Sequence, residues 1–529
     1  MVREPSIERK IPCTMSTQHP DNVNIPQWCN DKVIQGDAEV YEAYFAYSKL
    51  GCQEVMWDAE GKDVDTRVIR KLLSSYGDYF RENIIGKDVF LTYRIPNPRV
   101  EIAEKKIVVE TLGNIPIGHD IATAFYKMDI TPIFEVILPF TTDSQDLIRL
   151  FNYYKKVVVG IQDIELCESM KVKDWVGPFN PYYIELIPLI EDMESLLHIE
   201  NIVKPYINTV HPKYLRVFIA RSDPALNYSL VCATLLSKIA LSKLKTLEKE
   251  EEIAIFPIIG VGSMPFRGHL SPDNIQGFLT EYRGINTVTI QSALKYDYSP
   301  EDTKRVIEVL NEKLPYGQPA LIDFNEEAIL LQILEKFKLK YQTMIEELGP
   351  LINSIASYIP QRRSRKLHIG LFGYSRKIGE TVLPRAIPFA GAFYTLGIPP
   401  EFLGFEALNN LSEEEWDTLK TYYTNMNYDL ETVAGYLSWQ NINMLTDMYK
   451  RVSRRAGLEE EKLKIDLTKL TSDLKVIEEN LGIKLGPKNL TQRKYENIIN
   501  NFLICYLDRN EEEAKTYMEQ AAKIRKCLG

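Results

Sequence analysis

Eight apolar, β-branched runs of strand length recur along the first three quarters of the chain, each separated from the next by helical spacing. They are Glu54–Trp57, Val89–Ile95, Thr131–Leu138, Ile184–Ile190, Leu215–Ala220, Ala254–Val261, Thr287–Leu294 and His368–Gly373. Near-continuous apolar runs suit parallel strands buried on both faces. The stretches between them, such as Ser144–Val159 and Asn227–Leu247, carry apolar residues at helical spacing. Strand and helix alternating eight times predict an α/β fold, a (β/α)8 barrel of the TIM type with additional helices. Periodicity does not show closure, so a doubly wound open sheet stays as the alternative.

After about Leu411 the strand signals stop. The rest of the chain is rich in Glu, Lys, Leu and Tyr at helical spacing, with Gly457 and the Gly486–Pro487 pair as breaks. The expected organisation is a catalytic barrel over residues 1–410, including the N-terminal segment. An all-α region over residues 411–529 would pack on the barrel or on a second subunit.

Composition narrows the function classes. Of 529 residues, 45% are hydrophobic and 26% charged, which supports a large core and excludes extended disorder. The most apolar long stretch, Ala386 to Pro400, is too short and too rich in proline to span a membrane. The N-terminal MVREPSIERK has no apolar core, so no secretory signal is expected. The net charge of −10 argues against a general nucleic-acid binder, and an anionic substrate would need a local basic pocket. Seven scattered cysteines without a CxxC pair fit a reducing, cytoplasmic setting and no zinc site.

In a barrel the chemistry sits on the loops after the strand C-termini. The first run is followed by Asp58, Glu60, Lys62, Asp63 and Asp65, and the second by Arg94, Asn97 and Arg99. The third carries Glu135, the fourth ends in Glu191 and Asp192, and the fifth in Arg221, Ser222 and Asp223. The sixth enters GVGSMPFRGH with Arg267 and His269, the seventh brings Gln291 and Lys295, and the last leads to Arg376 and Arg385. Carboxylates on some strand ends suit a hard divalent cation. Arginine forks on others suit phosphate and carboxylate. Structural salt bridges around the mouth are the competing reading. The Gly260–Gly268 segment fits a loop that embraces phosphate or an ordinary turn, and it lacks the Walker lysine-hydroxyl pair. His19 stands in a proline-stiffened polar segment; His119, His198, His211 and His368 read as structural. The run Gln361–Lys366 reads as a solvated basic stretch.

STQHPDN, containing His19, resembles the short, archaeal-type phosphoenolpyruvate carboxylases, and further segments resemble motifs of the longer bacterial and plant enzymes in the same order. PIFEVILPF is similar to the strand whose glutamate binds metal, which implies Glu135. ARSDPALN is similar to the segment bearing the second metal ligand, which implies Asp223. GVGSMPFRG resembles the mobile glycine-rich loop with its essential arginine, implying Arg267, with Gly262 and Ser263 at the substrate. GYSRKIG and LPRAIPF resemble the segment whose two arginines hold substrate, implying Arg376 and Arg385, and Arg94 matches another substrate arginine. The resemblance runs from about Cys13 to Gly404. It departs where the longer enzymes place a lysine, here Leu226, and a loop histidine and arginine, here around Ile258 and Gly260. Lys62 and Lys295 are the candidates to replace that charge. The long N-terminal helical regions of the larger form are absent, while the chain shares a final glycine, Gly529.

The resemblance implies formation of oxaloacetate and phosphate from phosphoenolpyruvate and bicarbonate, with Mg²⁺ or Mn²⁺, in a cytoplasmic homotetramer. His19, Arg267 and Arg376 would be catalytic, Arg94, Arg376, Arg385, Gly262 and Ser263 substrate-binding, and Glu135 and Asp223 metal-binding. Another metal-dependent lyase or aldolase acting on pyruvate or phosphoenolpyruvate would share much of this equipment. A non-catalytic barrel scaffold would share none of the need for charge at the strand ends.

Overall fold

The computed structural model describes residues 9–18, 23–62, 64–363, 372–379 and 381–528. Eight strands, β1 (Thr14–Ser16), β2 (Glu54–Asp58), β3 (Phe90–Arg94), β4 (Glu135–Leu138), β5 (Glu185–Ile190), β6 (Leu215–Ala220), β7 (Ile255–Gly260) and β8 (Thr287–Ile290), form a closed barrel. Every neighbouring pair is parallel, and β1 closes the circle by pairing with both β2 and β8. Helices such as Ile107–Tyr126 and Leu230–Glu250 follow the strands and cover the outer face, as parallel connections require.

One strand differs from the sequence expectation. The last apolar run does not enter the barrel: Phe372–Ile378 (β9) pairs antiparallel with Thr381–Pro384 (β10) as a separate ribbon. The eighth barrel strand is instead β1, only three residues long within the polar CTMSTQ segment. Three residues cannot display a period, and β1 is specified by its two neighbours in the barrel, not by its own pattern.

Side chains along a strand alternate between faces, so strand parity sorts the interior into layers. The middle layer is apolar and includes Met15, Met56, Ile137, Ile187, Phe218 and Ile258. Below it, at the N-terminal ends of the strands, Arg216 donates Nη1 to Glu135 at 2.8 Å and both Nη groups to Glu54 at 2.9 and 2.8 Å. Its Nη2 also reaches Thr287 Oγ1 at 3.0 Å, and Tyr214 donates its hydroxyl to the other Glu135 oxygen at 2.8 Å. Arg216 and Glu54 are fully buried and Glu135 nearly so. Burial alone would lower the Arg216 pKa, but the two carboxylates raise it above its ordinary value.

This placement corrects the expected role of Glu135. It is the first residue of β4, so it sits on the barrel floor, with the apolar layer between it and the mouth. The length of β6 from Arg216 to Ala220 alone is roughly 13 Å at the usual rise per residue. Both Glu135 oxygens are already engaged by protein donors. Glu135 is part of a buried ion triad and not a ligand at the mouth.

From Glu413 to Arg525 the elements are helices, which reach back to the barrel loops. Asp429 pairs with His269, the Asn425 amide donates to Glu281, and the Lys526 carbonyl accepts from Ser263.

Breaking a buried ion pair from one side costs about 3–5 kcal/mol. Glu135→Ala should therefore lower the urea midpoint by that equivalent while the metal affinity of the folded fraction stays unchanged. Weakened metal binding at full stability would return Glu135 to the site.

Candidate functional site

At the opposite end of the barrel, a cleft opens where six strands finish. Its wall includes Thr17 after β1, Arg94 of β3, Glu191 after β5, Arg221 to Asp223 after β6, Gly260 of β7, Arg267 from the following loop, Gln291 after β8, and Arg385. Parity explains the membership. Glu191 continues the inward series Ile187 and Leu189, and Arg94 continues Thr92. Thr17 continues Met15, and Gln291 continues Thr289.

Glu191 and Asp223 put two carboxylates on this wall. Burial, then the charge of Asp223, pushes the Glu191 carboxyl up to about 8 despite the nearby Arg94. The Phe140 amide donates to Glu191 Oε2 at 2.8 Å, and Phe140 holds that position with a left-handed φ of 50°. A non-glycine residue adopts this conformation only where its surroundings enforce it. Glu191 belonged to the strand-end carboxylates visible in the sequence, as the first polar residue after the Ile184–Ile190 run. The resemblance had pointed instead to Glu135, a glutamate inside a run whose regular strand begins only at that residue.

The cationic side of the cleft is held by partners. Arg94 Nη2 meets Glu60 at 2.9 Å, and its Nη1 lies 3.9 Å from Asp58. Burial would raise the Asp58 pKa, but Arg94, Lys62 and Arg385 hold it below the ordinary carboxylate value. Arg385 precedes the helix Ala386–Leu396, whose first residues, Ala386 and Ile387, also line the cleft. Helix N-termini favour anions, so charge and backbone act in the same direction here.

The Gly260–Gly268 loop turns over the mouth. Arg267 directs Nε to Ser222 Oγ at 3.1 Å and Nη2 to Gln291 Oε1 at 2.5 Å, and the side chain is buried. Gly262 lies directly against it: a Cβ there would meet the Arg267 guanidinium at 3.1 Å. Gly268 has a φ of +108°, and a Cβ would strike Val261 at 2.5 Å, so only glycine fits the end of the turn. Beneath the loop, fully buried Arg221 donates to the Phe266 carbonyl at 3.2 Å, to Tyr282 at 2.9 Å and to Thr234 at 2.9 Å. Ser263 donates to the Lys526 carbonyl at 2.8 Å and is not among the residues lining the cleft. His269 is engaged with Asp429 and stacked on Tyr428.

The structure thus brings Arg94, Asp223, Arg267 and Arg385 together, with Gly262 packed behind Arg267. His19 lies outside the described residues, as does the side chain of Arg376, whose backbone belongs to β9. Leu226 and Ile258, which the resemblance sets near charged positions of the longer enzymes, are fully buried. Among the described residues, no group of three or more His, Cys, Asp and Glu side chains gathers as a ready metal cage. All seven cysteines are free, and no described helix is long and apolar enough to cross a membrane.

Glu191 gives a test that needs no activity. Its folded pKa lies above the unfolded one, so the unfolded state binds fewer protons between about pH 4.5 and 8. Its contribution to stability is therefore present below that window and lost as pH rises through it. In metal-free protein, Glu191→Gln should flatten the fall in Tm across this range. An unchanged pH profile would mean that Glu191 ionises without penalty.

A family model described as "Phosphoenolpyruvate carboxylase" matches residues 11–529 of the chain. A protein from Metallosphaera sedula with that name is 46% identical over 98% of this chain and 100% of its own length. Similar proteins of the same name come from Caldivirga maquilingensis, 44% identical over 98% of this chain and 100% of the relative, and Picrophilus torridus, 45% identical over 98% and 99%.

Proposed function

Since the chain belongs to the phosphoenolpyruvate carboxylase family, we infer that its cleft joins bicarbonate to phosphoenolpyruvate, forming oxaloacetate and releasing phosphate. The observation that carries this reading is the convergence of Arg94, Arg267 and Arg385 with Glu191 and Asp223 on one wall. Three guanidinium forks suit a substrate that bears both phosphate and carboxylate.

Glu191 and Asp223 fit a divalent cation. They are oxygen donors on one wall, and the charge of one resists ionisation of the other, a conflict that a cation relieves. Mg²⁺ or Mn²⁺ there would supply Lewis acidity toward phosphate and enolate oxygens. This pair replaces the expected Glu135 and Asp223.

Bicarbonate attacks phosphorus, the bond from phosphorus to the enol oxygen breaks, and carboxyphosphate and the enolate of pyruvate result. Arg94 and Arg385 hold the phosphate and carboxylate and stabilise the charge that moves onto the leaving oxygen. Arg376 is assigned the same task on the family motif. His19 then takes the carboxyl proton of carboxyphosphate, which releases carbon dioxide and phosphate beside the enolate. The enolate carbon attacks carbon dioxide to give oxaloacetate. A water molecule at that point would protonate the enolate to pyruvate, so the loop bearing Gly262, Ser263 and Arg267 has to keep the cleft dry. Arg267 is oriented for this by Ser222 and Gln291. The family reading extends to a cytoplasmic homotetramer, for which light scattering of the purified chain is the measure.

Oxaloacetate formation, followed by coupled reduction to malate, should require phosphoenolpyruvate, a divalent cation and bicarbonate together. Turnover without bicarbonate would transfer the cleft to a different enolate chemistry, a lyase or aldolase. His19→Asn should spare metal binding and phosphate release, since both rest on carboxylates and arginines. The stranded enolate should then leave as pyruvate, with bicarbonate-dependent phosphate release continuing and oxaloacetate nearly absent. A parallel fall of phosphate and oxaloacetate would place His19 in the first step or in the structure.

A further inference from the structure

Behind the end of β1 lies a buried cluster of ions that the chemistry above does not use. Glu39, Glu42, Lys62, Lys295 and Arg363 each expose 3% or less of their surface. Arg363 bridges the two glutamates, at 3.3 Å to Glu39 and 2.5 Å to Glu42. Lys295 Nζ lies 3.1 Å from Glu42, and Tyr296 donates its hydroxyl to the same carboxylate. Burial would raise the Glu42 pKa, but Arg363 and Lys295 bring it down to about 2. Burial brings the Lys62 amine down to about 8, with Glu39 opposing the shift.

Between them the two lysines reach three consecutive residues at the end of β1. Lys295 Nζ donates to the Thr17 carbonyl at 2.6 Å and to Ser16 Oγ at 3.2 Å. Lys62 Nζ donates to Gln18 Oε1 at 2.8 Å. The Thr17 amide donates to the Ile290 carbonyl of β8 at 3.1 Å, so the strand end is gripped from both sides. Thr17 also lines the cleft, where its buried Oγ1 has no hydrogen-bond partner among the described residues.

We propose that Lys62 and Lys295 are positioning residues: they clamp the end of β1 so that the Thr17 hydroxyl faces the reacting groups. β1 is only three residues long, and its own ladder cannot fix the direction in which the chain leaves the barrel. The glutamates and Arg363 serve to hold the two ammonium groups where they reach residues 16–18. The lysines are thereby committed to protein acceptors, and neither lies on the cleft wall as a substitute charge for substrate.

The proposal rests on the carboxylase reading for its kinetic readout, and on hydrogen exchange for a readout that does not depend on turnover. Lys62→Met should lower kcat about ten-fold with KM nearly unchanged, and Gln18→Leu should do the same. If Lys62 acts through Gln18, the double variant should be no slower than either single one. Lys295→Met should speed amide exchange at residues 16–18 about ten-fold while β6 stays protected, and Lys295→Arg should restore part of the protection. Multiplying effects of Lys62→Met and Gln18→Leu, or a KM rise at constant kcat, would overturn the clamp. So would unchanged exchange at residues 16–18 in a folded Lys295→Met. A parent chain that forms no oxaloacetate would fail the carboxylase reading alone, leaving the exchange measurement to decide on the clamp.

Discussion

The contact of Arg216 with Glu54 and Glu135 ties three non-adjacent strands across the barrel floor, where all three side chains are shielded from solvent. A charge buried that deeply is tolerable only with its partners in place, so the pairing constrains the register of β2, β4 and β6 together. With that register fixed, the two-residue alternation of each strand determines which side chains emerge at the far end. A slip of one residue would turn Glu191 and Arg94 outward and bring their neighbours inside.

Ion pairs and hydrogen bonds hold the charged groups at the mouth as well. Arg94 has Glu60, Arg267 has Ser222 and Gln291, and the lysines behind β1 have Glu42 and Gln18. At Glu191, burial and the charge of Asp223 together oppose ionisation, against the nearby Arg94. A cation held there, as proposed above, would offset that cost, and carboxylates perturbed in this way often mark functional sites. The left-handed Phe140 adjoining Glu191 is a second local cost at the same place.

The glycine-rich loop links these ions to the helical C-terminal region. Arg221 supports it from below through the Phe266 carbonyl, Glu401 accepts the Phe266 amide at 3.1 Å, and the Lys526 carbonyl receives Ser263. Residues far apart in sequence therefore fix one short turn. Gly262 lets that turn approach Arg267 more closely than any larger residue could.

Apolar runs, their spacing and the polar residues that end them determined much by themselves: an eight-stranded parallel fold, a helical C-terminal region, and charged groups at the strand ends. Seven of those runs became barrel strands because long apolar segments have few ways to be buried. Asp223 and Arg385 were legible for the same local reason, since each stands where a strand gives way to a helix, while Arg267 was legible as the arginine of the glycine-rich loop after β7. Tertiary structure alone decided the rest. Three residues of β1 became a strand because β2 and β8 leave a gap that only they fill, while the apolar run near residue 372 was drawn into a ribbon outside the barrel. The sequence sets Glu191 after its apolar run and Glu135 inside one, but not where the regular strand around Glu135 begins. Which end of a strand each occupies, and whether an arginine from a distant strand meets it, depends on closure of the barrel, and closure is a property of all eight strands at once.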